Sequence, residues 1–133
     1  MGPLDQFILA DDALTATPTG GAVAFRSHWY RSLPLSCMEV QLSLDGRPIP
    51  PEAMTIVVNG HTYPVEAMPG LIDEWLFITD AATLRFACTP PLERGRAYAV
   101  TLRLDLYPPY ILVGPDQEPL LASSTVTRIL TAA

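Results

Sequence analysis

The chain has 133 residues, 8 basic against 14 acidic, and a formal charge of −6, a length that suits one domain burying about two-thirds of its unfolded surface. No run approaches the roughly 18–20 apolar residues of a membrane helix, and no basic-then-apolar leader opens the chain, which disfavours membrane-spanning and secreted readings and points to a cytoplasmic protein. The acidic balance, with a pI near 4.6, argues against duplex binding, because phosphates call for a basic face.

Period-two alternation dominates from the first third of the chain onward. Ala22 to Arg31 reads as a strand, with Val23, Phe25 and Trp29 on one side and Arg26, His28 and Tyr30 on the other. Met38, Val40, Leu42 and Leu44 then alternate with Glu39, Gln41, Ser43 and Asp45. Asp45-Gly46 supplies the positive φ of a hairpin turn. Pro48, Pro50 and Pro51 make the next segment an edge or a loop, since proline cannot donate to a ladder. Met54–Val58 is a short strand leading into a second turn at Asn59-Gly60, and Glu74–Ile78 is another short extended run. Leu84, Phe86 and Cys88 alternate with Thr83, Arg85 and Ala87. Tyr98, Val100, Leu102, Leu104 and Leu106 alternate with Ala99, Thr101, Arg103 and Asp105. No helical period of ten residues survives these breaks. The expectation is an all-β fold, an antiparallel β-sandwich of about seven to nine short strands, forming one domain over 1–133 with short flexible ends.

Charged residues make up only 17% of the chain and apolar residues 49%, against about 25% charged in an ordinary domain. A small domain short of charge must show apolar surface, and large apolar patches mark partner surfaces. Cys37 and Cys88 form no C-x-x-C pair and are expected as reduced, buried thiols. Trp75 lies too near the second cysteine for an immunoglobulin bridge, and no Tyr stands two residues before Cys88.

Catalytic constellations are scarce. His28 and His61 belong to no zinc pattern or H-E-x-x-H motif, and His61, beside a turn, reads as a surface residue. Asp11-Asp12 and Asp73-Glu74 are adjacent on the chain, so neither pair forms an acid–base dyad by itself. No G-x-S-x-G and no glycine-rich phosphate loop is present. Two segments stand out for binding instead. Arg26 to Ser36 packs two Arg, a His and two aromatics ahead of a Leu-Pro-Leu break, and these are the types enriched at interface hot spots. Tyr107-Pro108-Pro109-Tyr110-Ile111-Leu112-Val113 is apolar and proline-stiffened, so it binds at little ordering cost. As purely structural features, the first is a strand whose Trp fills the core and the second a loop closing the sandwich. Trp75 and Phe77 share a side that equally fits core or a stacking platform.

F-R-S-H-W-Y-R-S-L-P-L-S (Phe25–Ser36), L-D-G-R-P-I-P (Leu44–Pro50), V-N-G-H-T-Y (Val58–Tyr63), D-E-W-L-F-I (Asp73–Ile78) and Y-P-P-Y (Tyr107–Tyr110) occur in this order. Together, over roughly Leu9 to Leu130, they resemble the small β subunit of the bacterial C-glycoside deglycosidases. The resemblance implies a β-sandwich that binds and stabilises a TIM-barrel α subunit, the latter holding a divalent metal, usually manganese, and a His base. It implies no cofactor on this chain and no catalytic residue of its own. The substrate implied is a 3-oxo-C-glycoside, such as an aromatic or flavonoid glycoside, held mainly by the α subunit. Its 3-keto group acidifies the C2 proton, abstraction gives an enediolate stabilised by the metal, and elimination expels the aromatic carbon, a lyase reaction. On this reading Arg26, His28, Tyr30 and Arg31 face the α subunit, with Tyr107 and Tyr110 as anchors. Two other readings compete. One is a free-standing sandwich that binds carbohydrate or protein; the other is a self-contained enzyme using His28 with distant carboxylates.

Overall fold

The computed structural model describes residues 7–27, 32–77, 80–107, 112–113, 118–119 and 121–133. The strands are β1 (Leu14–Thr17), β2 (Gly20–Phe25), β3 (Leu33–Pro34), β4 (Met38–Leu44), β5 (Arg47–Pro48), β6 (Met54–Val58), β7 (His61–Pro64), β8 (Trp75–Leu76), β9 (Ala82–Ala87), β10 (Ala97–Leu106), β11 (Leu112–Val113), β12 (Glu118–Pro119) and β13 (Ala122–Thr131). They form a five-stranded sheet in the order β1-β2-β9-β6-β7 and a four-stranded sheet in the order β13-β10-β4-β5. Two further two-stranded ladders, β3 with β8 and β11 with β12, add to them. Every pairing described is antiparallel. The fold is the all-β sandwich expected, with nine strands in the two principal sheets.

Alternation is the cause of the layering. Met38, Val40, Leu42 and Leu44 of β4 are buried, as are Tyr98, Val100, Leu102, Leu104 and Leu106 of β10. The facing sheet supplies Val23 and Phe25, Ala82, Leu84 and Phe86, and Met54, Ile56 and Val58. A register slip of one residue would turn each set toward solvent, so burial itself fixes the pairing. Each large side chain so buried contributes about 1.5–3 kcal/mol against leaving it exposed.

The turns follow the expected chemistry. Asp45 and Gly46 have φ of 50° and 80°, and Asn59 and Gly60 have φ of 52° and 79°, the left-handed pair that a tight hairpin requires. Asp45 also tethers the neighbouring strand: its Oδ1 accepts from the Ala99 N–H at 2.8 Å, and its own N–H donates to the Ala99 carbonyl at 2.8 Å. Pro48 lies in β5, at the rim of the four-stranded sheet, and Pro64 in β7, at the rim of the five-stranded one.

Three expectations need correction. The strand proposed for Ala22–Arg31 ends at Phe25, where the Arg26 N–H turns to the Ile8 carbonyl at 3.0 Å; Trp29 lies outside the described residues. Within the described part of the Glu74–Ile78 run, Glu74 to Phe77, only Trp75–Leu76 is strand, and Leu76 is buried while Trp75 and Phe77 face outward; Ile78 lies outside the described residues. Cys37 and Cys88 are free thiols but half-buried, since each lies just outside its strand. One strand has weak patterning. β13 has Val126 and Leu130 inward, but Ser124 and Arg128 occupy the same face and Ile129 points outward with 69% of its surface exposed.

Candidate functional site

The expected binding residues are placed unevenly. Arg26 is exposed, with its guanidinium 6.0 Å from the centre of the Phe7 ring. Tyr107 is half-buried at the end of β10, its N–H donating to the Cys37 carbonyl at 2.8 Å. Burial pushes the Tyr107 phenol upward, Glu39 and Asp105 push it further, and Arg103 opposes them. It is therefore a neutral donor at neutral pH. His28, Tyr30, Arg31 and Tyr110 lie outside the described residues. Arg26 and Tyr107 make their contacts with different neighbours, Phe7 and Cys37.

What the fold does assemble is a strap across one end of the sandwich, residues 71–77, which spacing in the sequence does not reveal. Two 3-10 turns, Leu35–Cys37 and Val65–Gly70, lead into it. From the four-stranded side, the Leu35 N–H donates to the Glu74 carbonyl at 2.8 Å and the Ser36 N–H to the Leu71 carbonyl at 3.2 Å. β3 pairs with β8, setting Pro34 opposite Trp75. From the five-stranded side, Asn59 Nδ2 donates to the Trp75 carbonyl at 2.7 Å. The Glu74 carboxylate then takes two side-chain donors on one oxygen: His61 Nδ1 at 2.6 Å and the Tyr63 hydroxyl at 3.0 Å. The His61 and Tyr63 rings meet edge-on at 6.3 Å. Thus L-P-L-S, V-N-G-H-T-Y and D-E-W-L-F, far apart in the chain, hold one another here.

The electrostatics follow from that geometry. The Glu74 side chain keeps 15% of its exposure while that of His61 keeps 63%. The His61 bond holds the Glu74 carboxyl below its ordinary range; burial pushes the other way, and the bonds from Tyr63 and Asn59 and the nearby His61 charge add to the lowering. Tyr63 is raised, first by burial and then by Glu74. Glu74 is therefore an ionised acceptor that holds the strap. The cleft beside it, about 290 Å³ and lined by Tyr63, Gly70, Leu71, Ile72, Asp73 and Glu74, lies below the roughly 300–1,000 Å³ usual for a small-molecule pocket. Outward from the strap stand Ile72, Trp75 and Phe77, with 66%, 40% and 51% of their surfaces exposed.

Two other charged sites are structural. Asp105 is buried although it lies on the outer face of β10; it accepts from Ser123 Oγ at 2.5 Å and from Arg103 Nε at 3.2 Å. Arg128 crosses the open side of the sandwich to the Leu9 carbonyl and to Asp11, both at 2.5 Å. Among the described residues, no group of three or more His, Cys, Asp or Glu side chains could hold a metal ion. No helix among those residues is long and apolar enough to cross a membrane.

Fold and site together define a small β-sandwich protein whose distinctive feature is an apolar, hydrogen-bonded strap. The family model of the C-glycoside deglycosidase beta subunit matches residues 9–110. A C-glycoside deglycosidase beta subunit of Microbacterium trichothecenolyticum is 33% identical over 126 residues, 94% of each chain. A 3'-dehydrocarminate deglycosidase beta subunit of a Microbacterium species is 36% identical over 108 residues, 80% of each chain. A C-glycoside deglycosidase beta subunit of Arthrobacter globiformis is 33% identical over 92 residues, 68% of this chain and 70% of the relative. The chain belongs to the C-glycoside deglycosidase beta subunit family, and the resemblance read from its motifs holds.

Proposed function

We propose that this chain is the non-catalytic small subunit of a hetero-oligomeric C-glycoside deglycosidase. The observation that carries the reading is the family match, extended by relatives named as beta subunits over nearly the whole chain. The exposed strap supports it, since Trp75 and Phe77 leave 40% and 51% of their surfaces uncovered by the chain itself.

In this reading the partner is a TIM-barrel α subunit that holds a divalent metal, the catalytic base and most of the substrate pocket. The substrate is a C-glycoside already oxidised at the sugar 3-position, a choice supported by the 3'-dehydrocarminate relative. A base removes the C2 proton made acidic by the neighbouring ketone. A C1–C2 double bond forms, the bond from C1 to the aromatic carbon breaks, and that carbon takes up a proton. The bond is cleaved without water, as a lyase cleaves it. This chain's part is to hold the α subunit in its active form.

The test is co-expression with an isomerase-like barrel protein, sought first in the adjacent gene, followed by size exclusion and an assay on a 3-oxo-C-glucoside. A mixed complex that releases aglycone, with neither chain active alone, is the expected result. A monodisperse chain that ignores the barrel protein would refute the reading in favour of an independent binding module.

A further inference from the structure

We propose that Ile72, Trp75 and Phe77 are the anchor by which this chain docks onto its larger subunit, seated in an apolar pocket rimmed by Arg or Lys. The inference rests on the subunit reading above and assigns the face that reading leaves unassigned.

Three observations converge on it. The first is area and residue type. Aromatic side chains offer about 150–250 Å² each, so Trp75 and Phe77 alone leave on the order of 150–200 Å² of aromatic surface uncovered, with Ile72 exposed on the same strap. Trp is also the residue that most often dominates binding energy. The second is preorganisation. The backbone that carries Trp75 is pinned by Asn59 at 2.7 Å, by pairing of β8 with β3 and, through Glu74, by His61 and Tyr63. Binding there orders little that is not already ordered. Ile129 makes the contrast: it is as exposed, but its neighbours on the sheet face are Thr127, Thr131 and Ala99, with no other large apolar group, the ordinary condition of a surface residue.

The third observation is charge, and it selects the occupant. Between Arg47 and Arg85 the sequence has no Arg or Lys, but has Glu52, Glu66, Asp73, Glu74 and Asp80. Asp73 lies within the strap and is exposed, as is Asp80, whose N–H donates to the Phe77 carbonyl at 2.9 Å. A second copy seated on this face would set Asp73 and Asp80 against their own kind, which is unfavourable. A different protein with cationic groups around an apolar pocket would pair with them.

The experiment titrates separately purified chain into the barrel subunit, with three variants beside the wild type. Trp75→Ala/Phe77→Ala is expected to weaken association about 100-fold or more, while circular dichroism and melting temperature of the free chain stay unchanged. Asp73→Lys/Asp80→Lys, which leaves the apolar groups in place, is expected to weaken it about 10-fold at low salt and less at high salt. Ile129→Ala is expected to bind as wild type. If wild type binds and Trp75→Ala/Phe77→Ala binds within about threefold of it, the anchor is elsewhere and the subunit reading stands. If wild type does not bind the barrel protein at all, both fall. If free wild type is a dimer that Trp75→Ala/Phe77→Ala dissolves, the occupant is a second copy and the proposal is overturned.

Discussion

Adjacent glycines at the start of β2 should respond very differently to the addition of one methyl group. A Cβ on Gly20 would lie 2.2 Å from the Phe86 carbonyl oxygen, 2.8 Å from the Cys88 nitrogen and 2.9 Å from the Ala87 Cα, where ordinary contact begins near 3.4 Å. All three obstacles are backbone of β9, and β9 cannot retreat because β6 pairs with its other edge, with Met54 opposite Phe86. A Cβ on Gly21 meets Leu92 Cδ1 at 2.5 Å and Phe86 Cζ at 2.6 Å, both ends of side chains. Leu92 is only half-buried and has room to turn. Overpacking of this kind costs about 1–3 kcal/mol where side chains can yield, and more where backbone must move. Gly20→Ala should therefore cost about 3 kcal/mol or more, and Gly21→Ala about 1–2 kcal/mol. With a urea slope of about 1.5 kcal/mol per molar, the midpoint should fall by roughly 2 M or more for the first and by about 1 M for the second. Equal midpoints, or a larger loss at Gly21, would refute the claim that β2 and β9 are held at fixed separation.

Other expectations are simpler to state. Leu102→Ala, at a fully buried position on the central strand β10, should cost about 2–5 kcal/mol in urea unfolding. Arg128→Met should cost about 2 kcal/mol, the worth of a charged hydrogen bond with its carbonyl left unpaired, and should raise hydrogen exchange in residues 8–13. Glu74 is held below the ordinary carboxylate range by its His61 bond, with smaller help from Tyr63. Its contribution is thus complete at pH values above that range and is lost as pH falls through the lowered value. The midpoint difference between wild type and Glu74→Gln should accordingly shrink as pH falls through and below the ordinary carboxylate range; a constant difference would show that the carboxylate's charge is irrelevant to the strap.

The sheets were legible wherever one face is uniformly apolar and the other polar. β4 and β10 satisfy that, and the turn at Asp45-Gly46 that joins β4 to β5 follows from residue type, whereas the tether from Asp45 to Ala99 on β10 does not. β13 does not: with Ser124 and Arg128 on its inner face and Ile129 outside, its period is blurred by the Arg that reaches across to Leu9 and Asp11. Alternation also continues through residues 26–31, although the strand itself ends at Phe25; pattern carries no signal for the backbone bond to Ile8 that ends it. At the strap the limitation is different in kind. Alternation puts Trp75 and Phe77 on one side but leaves open which side meets solvent. The convergence of Asn59, His61, Tyr63 and Glu74 joins residues up to 16 positions apart, which only the folded topology brings together.

The prolines at the two rims have a consequence for how this chain behaves before it meets anything. An outer strand with free N–H and C=O groups is a template on which further strands can add, copy after copy. Pro48 in β5 and Pro64 in β7 each remove a donor from such a rim, and Pro50 and Pro51 follow the first. Strand addition there would leave a carbonyl on the newcomer without its mate. A chain that displays tryptophan and phenylalanine is thereby kept from polymerising along these two rims, and any lasting attachment there has to grip side chains in place of the sheet's own ladder.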